Sequence, residues 1–156
     1  KKKKFKEISF YGFNTVLDNL QATVLNVKLK YFPKWVERRR QPANLYHQGV
    51  SGISEIKLPP PPTEKGFSFD VFQNYAIRVE KRDELVRFLD RRGIETLISW
   101  AIPNHRQRAL KNLHQFKLPV TEQISKEVIS LPMYPELTGE QIEYVINCVK
   151  DFYVKK

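Results

Sequence analysis

A chain of 156 residues with 41% hydrophobic and 12% aromatic residues is long enough to bury a core and too apolar to be a disordered tail. No apolar run approaches the roughly 20 residues that a membrane helix needs, so we expect no membrane partner and no secretion signal. The single cysteine, Cys148, excludes an intramolecular disulfide, and we expect a protein of the reducing cytoplasm.

The net charge of +10 lies mostly in short clusters: Lys1 to Lys4, Arg38 to Arg40, Arg91 with Arg92, and Lys155 with Lys156. A basic surface attracts nucleic acid, anionic membranes or phosphorylated ligands without distinguishing them. No RNA-recognition, helix-turn-helix or zinc-finger pattern accompanies the charge, so we interpret the clusters as solvated faces and do not predict a nucleic-acid partner.

Apolar residues recur at spacings of three and four from Leu17 to Tyr31, which predicts a long N-terminal helix with two adjacent stripes. The first stripe holds Leu17, Leu20, Val24, Val27 and Tyr31, and the second holds Leu25, Leu29 and Phe32. A helix that is apolar over so wide an arc requires partners on two sides. We therefore expect it to dock on a structure that this chain does not supply.

Prolines shape the next segments. Pro33 is expected to end the first helix, and Pro42 is expected to kink or break a second helix from Lys34 to about Gln48, because proline lacks the amide of the helical ladder. The run from Pro59 to Gly66 is predicted to be an extended connector. A ligand for a proline-recognition domain is the other interpretation of this run.

The C-terminal part alternates strand and helix patterns. The predicted strands are Asn74 to Val79 and Ile94 to Ile98. The predicted helices are Arg82 to Arg92, which Gly93 closes, Val120 to about Ile129, and Thr138 to Tyr153. Ser130 to Met133 is expected to be extended. Thr138 and Gln141 have the spacing of a capping box. The fold expected is α/β (α+β), a long N-terminal helix leading into a small sheet with helices packed on it. Its expected division is an interface segment at 1–58, a connector at 59–68 and a small C-terminal α/β domain at 69–156.

No pattern in the sequence predicts catalysis or metal binding by itself. The histidines His47, His105 and His114 have neither a paired helical spacing nor a neighbouring cysteine or carboxylate cluster, so no metal site is predicted. Cys148 stands beside Val149 in the last helix, where a cysteine is usually an inert small hydrophobe.

Four segments in order resemble one enzyme family. Gly12 to Ala22 (GFNTVLDNLQA) resembles the pattern G-[FY]-N-x-R-x-x-x-[LI]-Q-A of the DegT–DnrJ–StrS sugar aminotransferases. The segments 73–85, 93–107 and 130–138 are similar to the opening of that family's small domain, to its loop around a histidine, and to its terminal signature. The resemblance covers nearly the whole chain.

This resemblance implies the C-terminal domain of a fold-type-I enzyme that moves an amino group, usually from glutamate, to a keto sugar carried on a nucleotide. Pyridoxal phosphate performs the carbanion chemistry in such enzymes, and a lysine forms the Schiff base. That lysine precedes the Gly12 segment in the family, so the chain is expected to bind no cofactor alone and to require a missing N-terminal half, within a homodimer. The alternative is a non-catalytic truncated homologue that acts as a binding or dimerisation module.

The family pattern suggests three site residues. Asn14 matches an asparagine that reaches the cofactor phosphate of the neighbouring subunit, although it could instead cap the following helix. His105 matches a histidine near the sugar substrate, or is a partly exposed loop histidine. Trp100 could stack on the sugar or fill the core. Val16 and Ser99 stand where the family has arginine and histidine, which puts substrate binding in question.

Overall fold

A computed structural model describes residues 18–63, 69–99 and 101–153 of the chain. The chain packs as two compact units, residues 1–33 and residues 34–156. The helices and strands, in chain order, are α1 (Asn19–Val50), β1 (Ile56–Lys57), β2 (Tyr75–Val79), α2 (Arg82–Asp90), α3 (Pro119–Glu127), β3 (Val128–Leu131) and α4 (Gly139–Tyr153). Two short 3-10 turns, Asn104–Arg106 and Arg108–Leu113, lie between α2 and α3.

Helix α1 begins where a side chain satisfies its first free amides. The Asp18 carboxylate accepts a hydrogen bond from the Gln21 amide at 2.8 Å, and the Asp18 carbonyl accepts one from the Ala22 amide at 2.9 Å. Asp18 therefore fills the capping role that was considered for Asn14. Leu17, the expected start of the helix, lies outside the described residues.

The helix is longer than the sequence suggested, because it continues through both Pro33 and Pro42. A proline removes one amide donor from the ladder and costs about 3 kcal/mol in a helix interior. In the unit 34–156, helix residues beyond Pro42 are fully buried, namely Ala43, Tyr46 and Val50. Burying large apolar side chains of this kind contributes roughly 1.5–3 kcal/mol each, enough to offset the lost bond. The break expected at the prolines is thus wrong.

Within residues 18–33, both apolar stripes of α1 are exposed to solvent. Their exposed fractions run from 47% to 77%, for Leu20, Val24, Leu25, Val27, Leu29, Tyr31 and Phe32. At 100° per residue these side chains cover an arc of about 200°, twice the width of an ordinary core-facing stripe. The docking expected of this surface, named the α1 stripe below, stays a prediction.

The small sheet has three antiparallel strands in the order β1-β2-β3, with Ile56 opposite Val79 and Tyr75 opposite Leu131. The expected sheet with helices packed on it is confirmed, but its strands differ from those predicted. The segment Ile94 to Ile98 is not a strand, because only Leu97 reaches β3, where it exchanges two backbone hydrogen bonds with Ser130 at 3.1 and 2.8 Å. Strand β1 has two residues, too few for an alternation to be visible in the sequence.

One core unites the sheet with α2, α4 and the C-terminal half of α1. Alternate residues of β2 point inward, and α4 contributes the apolar face that its sequence predicted. The largest fully buried side chains are Tyr46, Phe72, Tyr75, Ile77, Leu85, Leu89 and Ile129. Cys148 is buried in this core, consistent with its interpretation as a small hydrophobe.

The two predicted helix ends are confirmed. Gly93 has φ 71° at the end of α2, a left-handed conformation that glycine adopts without strain. At the start of α4 the Gln141 amide donates to the Thr138 hydroxyl at 3.3 Å, and the Thr138 amide donates to the Gln141 side-chain oxygen at 3.0 Å. This reciprocal pair is the capping box.

The Arg38 to Arg40 cluster is not simply a solvated face, as the sequence had suggested. Nη1 of Arg39 donates to the backbone carbonyls of Phe72, Gln73 and Met133 at 3.3, 2.9 and 3.2 Å. These carbonyls lie before β2 and after β3, so one guanidinium fastens α1 to the end of the sheet. Local charge patterns could not reveal this, since the acceptors are up to 94 residues away.

The expected division of the chain at 1–58, 59–68 and 69–156 stays a prediction. The boundary between the two compact units lies between Pro33 and Lys34. Residues 34–58 belong with the small domain because Tyr46 and Val50 enter its core and β1 pairs with β2. Residues 64–68, inside the expected connector, lie outside the described part of the chain.

Gly49 permits the close approach of α1 and α4, and its replacement tests that contact. A Cβ at position 49 would lie 2.7 Å from Cδ1 and 2.8 Å from Cγ2 of Ile146. Overpacking costs about 1–3 kcal/mol, against at most about 1 kcal/mol gained from the helix propensity of alanine. We expect Gly49→Ala to lower the free energy of unfolding by about 1 kcal/mol, measured by urea denaturation.

Gly52→Ala is the matched control, because a Cβ there meets nothing within 4 Å, and it should change stability little. On an Ile146→Ala background the clash is gone, so Gly49→Ala should become neutral or stabilising. Equal destabilisation on both backgrounds would exclude the contact with Ile146 as the cause.

Candidate functional site

The three residues suggested as site residues are only partly visible. Asn14 and Trp100 lie outside the described residues. His105 lies in the 3-10 turn Asn104–Arg106 and is 4% exposed, so the alternative of a partly exposed loop histidine is wrong. A histidine buried to this degree in an irregular segment requires a polar partner.

That partner is Glu122, on the first turns of α3. The Oε1 atom of Glu122 lies 2.9 Å from Nε2 of His105, and it also accepts hydrogen bonds from Nη2 and Nε of Arg106 at 2.8 and 3.2 Å. One carboxylate oxygen thus receives three donors from two consecutive residues. The contact joins α3 to a segment 16 to 17 residues earlier in the chain.

These hydrogen bonds also fix the charge of the site. Those from His105, and next those from Arg106, lower the pKa of the Glu122 carboxyl from 4.5 to about 2. Glu122 is therefore ionised at neutral pH, and an ionised carboxylate only accepts hydrogen bonds. The proton of a neutral His105 must then reside on Nε2.

The surrounding segment, residues 101–118, is named the 101–118 loop. Its own side chains bridge it internally: Nε2 of Gln107 donates to the Ile102 carbonyl at 3.0 Å, and Nε2 of His114 lies 3.1 Å from the Gln107 carbonyl. The two 3-10 turns and these bonds give the segment an ordered conformation.

Helix α3, which carries Glu122, is itself held firmly. The buried Arg82 donates from Nη1 to the carbonyls of Ser125 and Val128 at 3.2 and 3.1 Å. Arg78 on β2 forms an ion pair with Glu127 at 2.8 Å. The carboxylate of Glu122 is therefore presented from a rigid element.

A cavity of about 780 Å³ lies between the 93–97 segment, the 130–134 segment and the first turns of α4. Its described lining contains two carboxylates, Glu95 and Glu140, and neither lysine nor arginine. Such a lining disfavours an anion. Every described lysine of the chain is exposed, and no group of three or more potential metal ligands occurs in the described ranges.

The sequence profile of the DegT/DnrJ/EryC1/StrS aminotransferase family matches residues 1–150. This chain belongs to that family. The family depends on pyridoxal phosphate.

Two similar curated proteins illustrate the relationship. A pleiotropic regulatory protein of Geobacillus stearothermophilus is 37% identical over 91% of the chain and 38% of its own length. The dTDP-3-amino-3,6-dideoxy-α-D-galactopyranose transaminase of Aneurinibacillus thermoaerophilus is 35% identical over 96% of the chain and 40% of its own length. The chain thus spans about two fifths of these relatives.

A solved structure agrees with the sequence match. DesV of S. venezuelae, solved in complex with a ketimine intermediate, superposes with a TM-score of 0.83 at 32% identity. The superposition covers 98% of this chain and 41% of DesV. Nearly the whole of this DegT-family chain therefore has the fold of DesV, and it corresponds to about two fifths of DesV.

The described residues do not by themselves fit pyridoxal phosphate. The cofactor needs an amine in a pocket for its aldehyde and donors or cations for its phosphate. The described lysines are all exposed, and the described lining of the cavity holds two carboxylates and neither lysine nor arginine.

The sequence suggested His105 but not the residues that hold it. Arg106 lies inside the matching segment, and Glu122 was visible only as one position of the helix predicted from Val120. No local signal joins them, because the pairing depends on how the 101–118 loop returns to α3. None of the helices in the described part of the chain has the length and apolarity required to cross a bilayer.

The lowered pKa of Glu122 predicts how stability varies with acid pH. Because the carboxyl has its lower pKa in the folded state, its contribution to stability is present above about pH 4.5 and is lost as the pH falls toward about 2. The difference in unfolding free energy between the parent chain and Glu122→Gln should be constant at neutral pH and shrink across that window. Carboxyl ¹³C NMR titration measures the pKa directly, and a Glu122 pKa near 4.5 would contradict the network.

Proposed function

We propose that this chain is the C-terminal portion of a nucleotide-sugar aminotransferase. The complete enzyme transfers an amino group, with glutamate as the expected donor, to a keto sugar by means of pyridoxal phosphate. The chain alone is not competent, because the Schiff-base lysine is supplied by an N-terminal part. The observation that carries this proposal is that every described lysine is exposed in a chain that spans 38–40% of its relatives.

The exposed apolar surface of the α1 stripe is a second observation that supports the proposal. Its seven exposed apolar residues lie on a surface that a monomer of this size would not expose without a partner. An N-terminal part of a longer chain is the occupant that the partial coverage of the relatives favours. A homodimer is proposed for the assembled enzyme, since the family resemblance suggests that Asn14 reaches the cofactor phosphate of the neighbouring subunit.

The three suggested residues keep unequal roles in this proposal. Asn14 donates to the cofactor phosphate, a role strengthened by the presence of Asp18 as the cap of α1. Trp100 stacks on the sugar. His105 is placed near the sugar by the resemblance, but its burial and its bond to Glu122 favour an anchoring role over direct contact with the substrate.

A chimera tests the function. The Aneurinibacillus transaminase would keep its N-terminal part and receive this chain in place of its matching portion. We expect the chimera to show the absorbance of protein-bound pyridoxal phosphate and transaminase activity, whereas the 156-residue chain alone shows neither. Cofactor binding and turnover by the chain alone would overturn the proposal, and so would a folded chimera that binds no cofactor.

The α1 stripe provides a matched pair of variants in this chimera. Val24→Asp places a charge in the stripe, and Asn26→Asp places the same charge on the opposite face of α1, about 200° away. Burying an unpaired carboxylate is costly, so Val24→Asp should lose bound cofactor and lower the melting temperature, while Asn26→Asp should not. Equal behaviour of the two variants would show that the stripe is not an interface with the N-terminal part. If self-association of the isolated chain nevertheless responded to Val24→Asp, the chain would be a binding or dimerisation module.

Asn14→Ala tests the phosphate contact. Losing one charge-assisted hydrogen bond costs about 1.5–3 kcal/mol, so we expect cofactor to bind roughly ten to a hundred times more weakly in the chimera. Dialysis followed by the absorbance of the retained cofactor measures the change. Asn26→Ala is the control, and both variants should melt at the parent temperature once the cofactor has been removed. Unchanged retention in Asn14→Ala would remove this residue from the site.

A further inference from the structure

The 101–118 loop buries its histidine and exposes several large apolar side chains. His105 is 4% exposed, and its ring is hydrogen-bonded within the unit. Four large apolar residues of the loop are exposed by 38–54%, namely Ile102, Leu110, Phe116 and Leu118. Exposed apolar surface is unfavourable in water, so a partner that covers these side chains would be stabilised by their burial.

Two positions that flank the loop in the sequence are also exposed apolar residues. Leu97, which bridges to β3 just before the loop, is 54% exposed, and Val120, on the first turn of α3, is 68% exposed. Single exposed apolar residues are ordinary, but a concentration of them in one segment marks a protein interaction site.

The loop does not obtain its shape by burying these residues. Its order comes from Glu122, whose one oxygen binds His105 and Arg106, and from the internal bridges of Gln107 and His114. A surface that is already ordered loses less conformational entropy when it binds, which increases affinity. The exposed apolar side chains therefore belong to a loop that is already ordered before a partner binds.

We propose that the 101–118 loop is a second docking surface for the N-terminal part of the longer enzyme, with Glu122 as its positioning residue. This inference rests on the proposed function and adds a contact to it that is separate from the α1 stripe. The occupant is chosen because the chain spans 38–40% of its relatives, which leaves the larger part of such a protein to cover the loop. In this arrangement the role of His105 is to anchor the loop that contacts the N-terminal part.

The rate of trypsin cleavage tests both the positioning role of Glu122 and the docking of the loop, because the loop contains the cleavable residues Arg106, Arg108 and Lys111. In the isolated chain, Glu122→Ala should be cut in the loop about tenfold faster than the parent, because local opening becomes easier. Glu127→Ala is the control, since it removes an ion pair from the same helix without touching the loop. Glu122→Gln, which keeps an acceptor oxygen, should be intermediate. Unchanged loop cleavage in Glu122→Ala, with the melting temperature confirming a folded chain, overturns the positioning role.

Docking is tested by comparing the loop in the chain and in the chimera. We expect the loop to be cut at least about tenfold more slowly in the chimera, and Phe116→Asp to restore cleavage there. Gln115→Asp adds the same charge to the neighbouring exposed residue and should leave the protection intact. Equal cleavage of chain and chimera would overturn the docking surface even if the chimera binds cofactor and the proposed function stands.

The alternative occupant is a second copy of the chain. Sedimentation of the isolated chain should then show a dimer that Phe116→Asp dissociates, and this result would overturn the occupant proposed here. A chimera without bound cofactor but with a protected loop would instead contradict the proposed function and retain the docking surface.

Discussion

The contact between the C-terminal half of α1 and the rest of the small domain is the constraint on which the fold depends. Tyr46 and Val50 enter the core completely, Gly49 lets α4 approach, and Arg39 binds the carbonyls at the end of the sheet. A three-stranded sheet with a two-residue edge strand could not by itself bury enough apolar area to be stable. Helix α1 supplies the missing layer, and this explains why it continues through Pro42.

The other half of α1 and the 101–118 loop have the opposite character. Both show large apolar side chains to solvent, and both are ordered by polar groups: the Asp18 cap in one case and the Glu122 carboxylate in the other. Under the proposed function, both surfaces meet the N-terminal part of the longer enzyme.

Membership of the DegT/DnrJ/EryC1/StrS aminotransferase family gives these surfaces a context. The chain matches about two fifths of its relatives, and its described cavity is lined by two carboxylates and neither lysine nor arginine. Under the proposed function, the described part supports a site that another part of the enzyme completes. Arg106 and Glu122 lie outside any catalytic pattern, yet they determine the shape of the segment in which the family resemblance placed a substrate contact.

The sequence by itself determined the family, the small sheet with packed helices, the Thr138–Gln141 capping box and the left-handed glycine after α2. Each of these could be predicted because it depends on patterns among residues that are close together in the sequence. Only the tertiary structure decided that α1 continues past its prolines, that Leu97 makes a single bridge instead of a strand, and that Glu122 binds His105. Each of these outcomes depends on contacts between residues distant in the chain, whose energies outweigh the local preferences. Periodicity reports which face of an element is apolar, whereas the partner of that face is fixed only when the chain has folded.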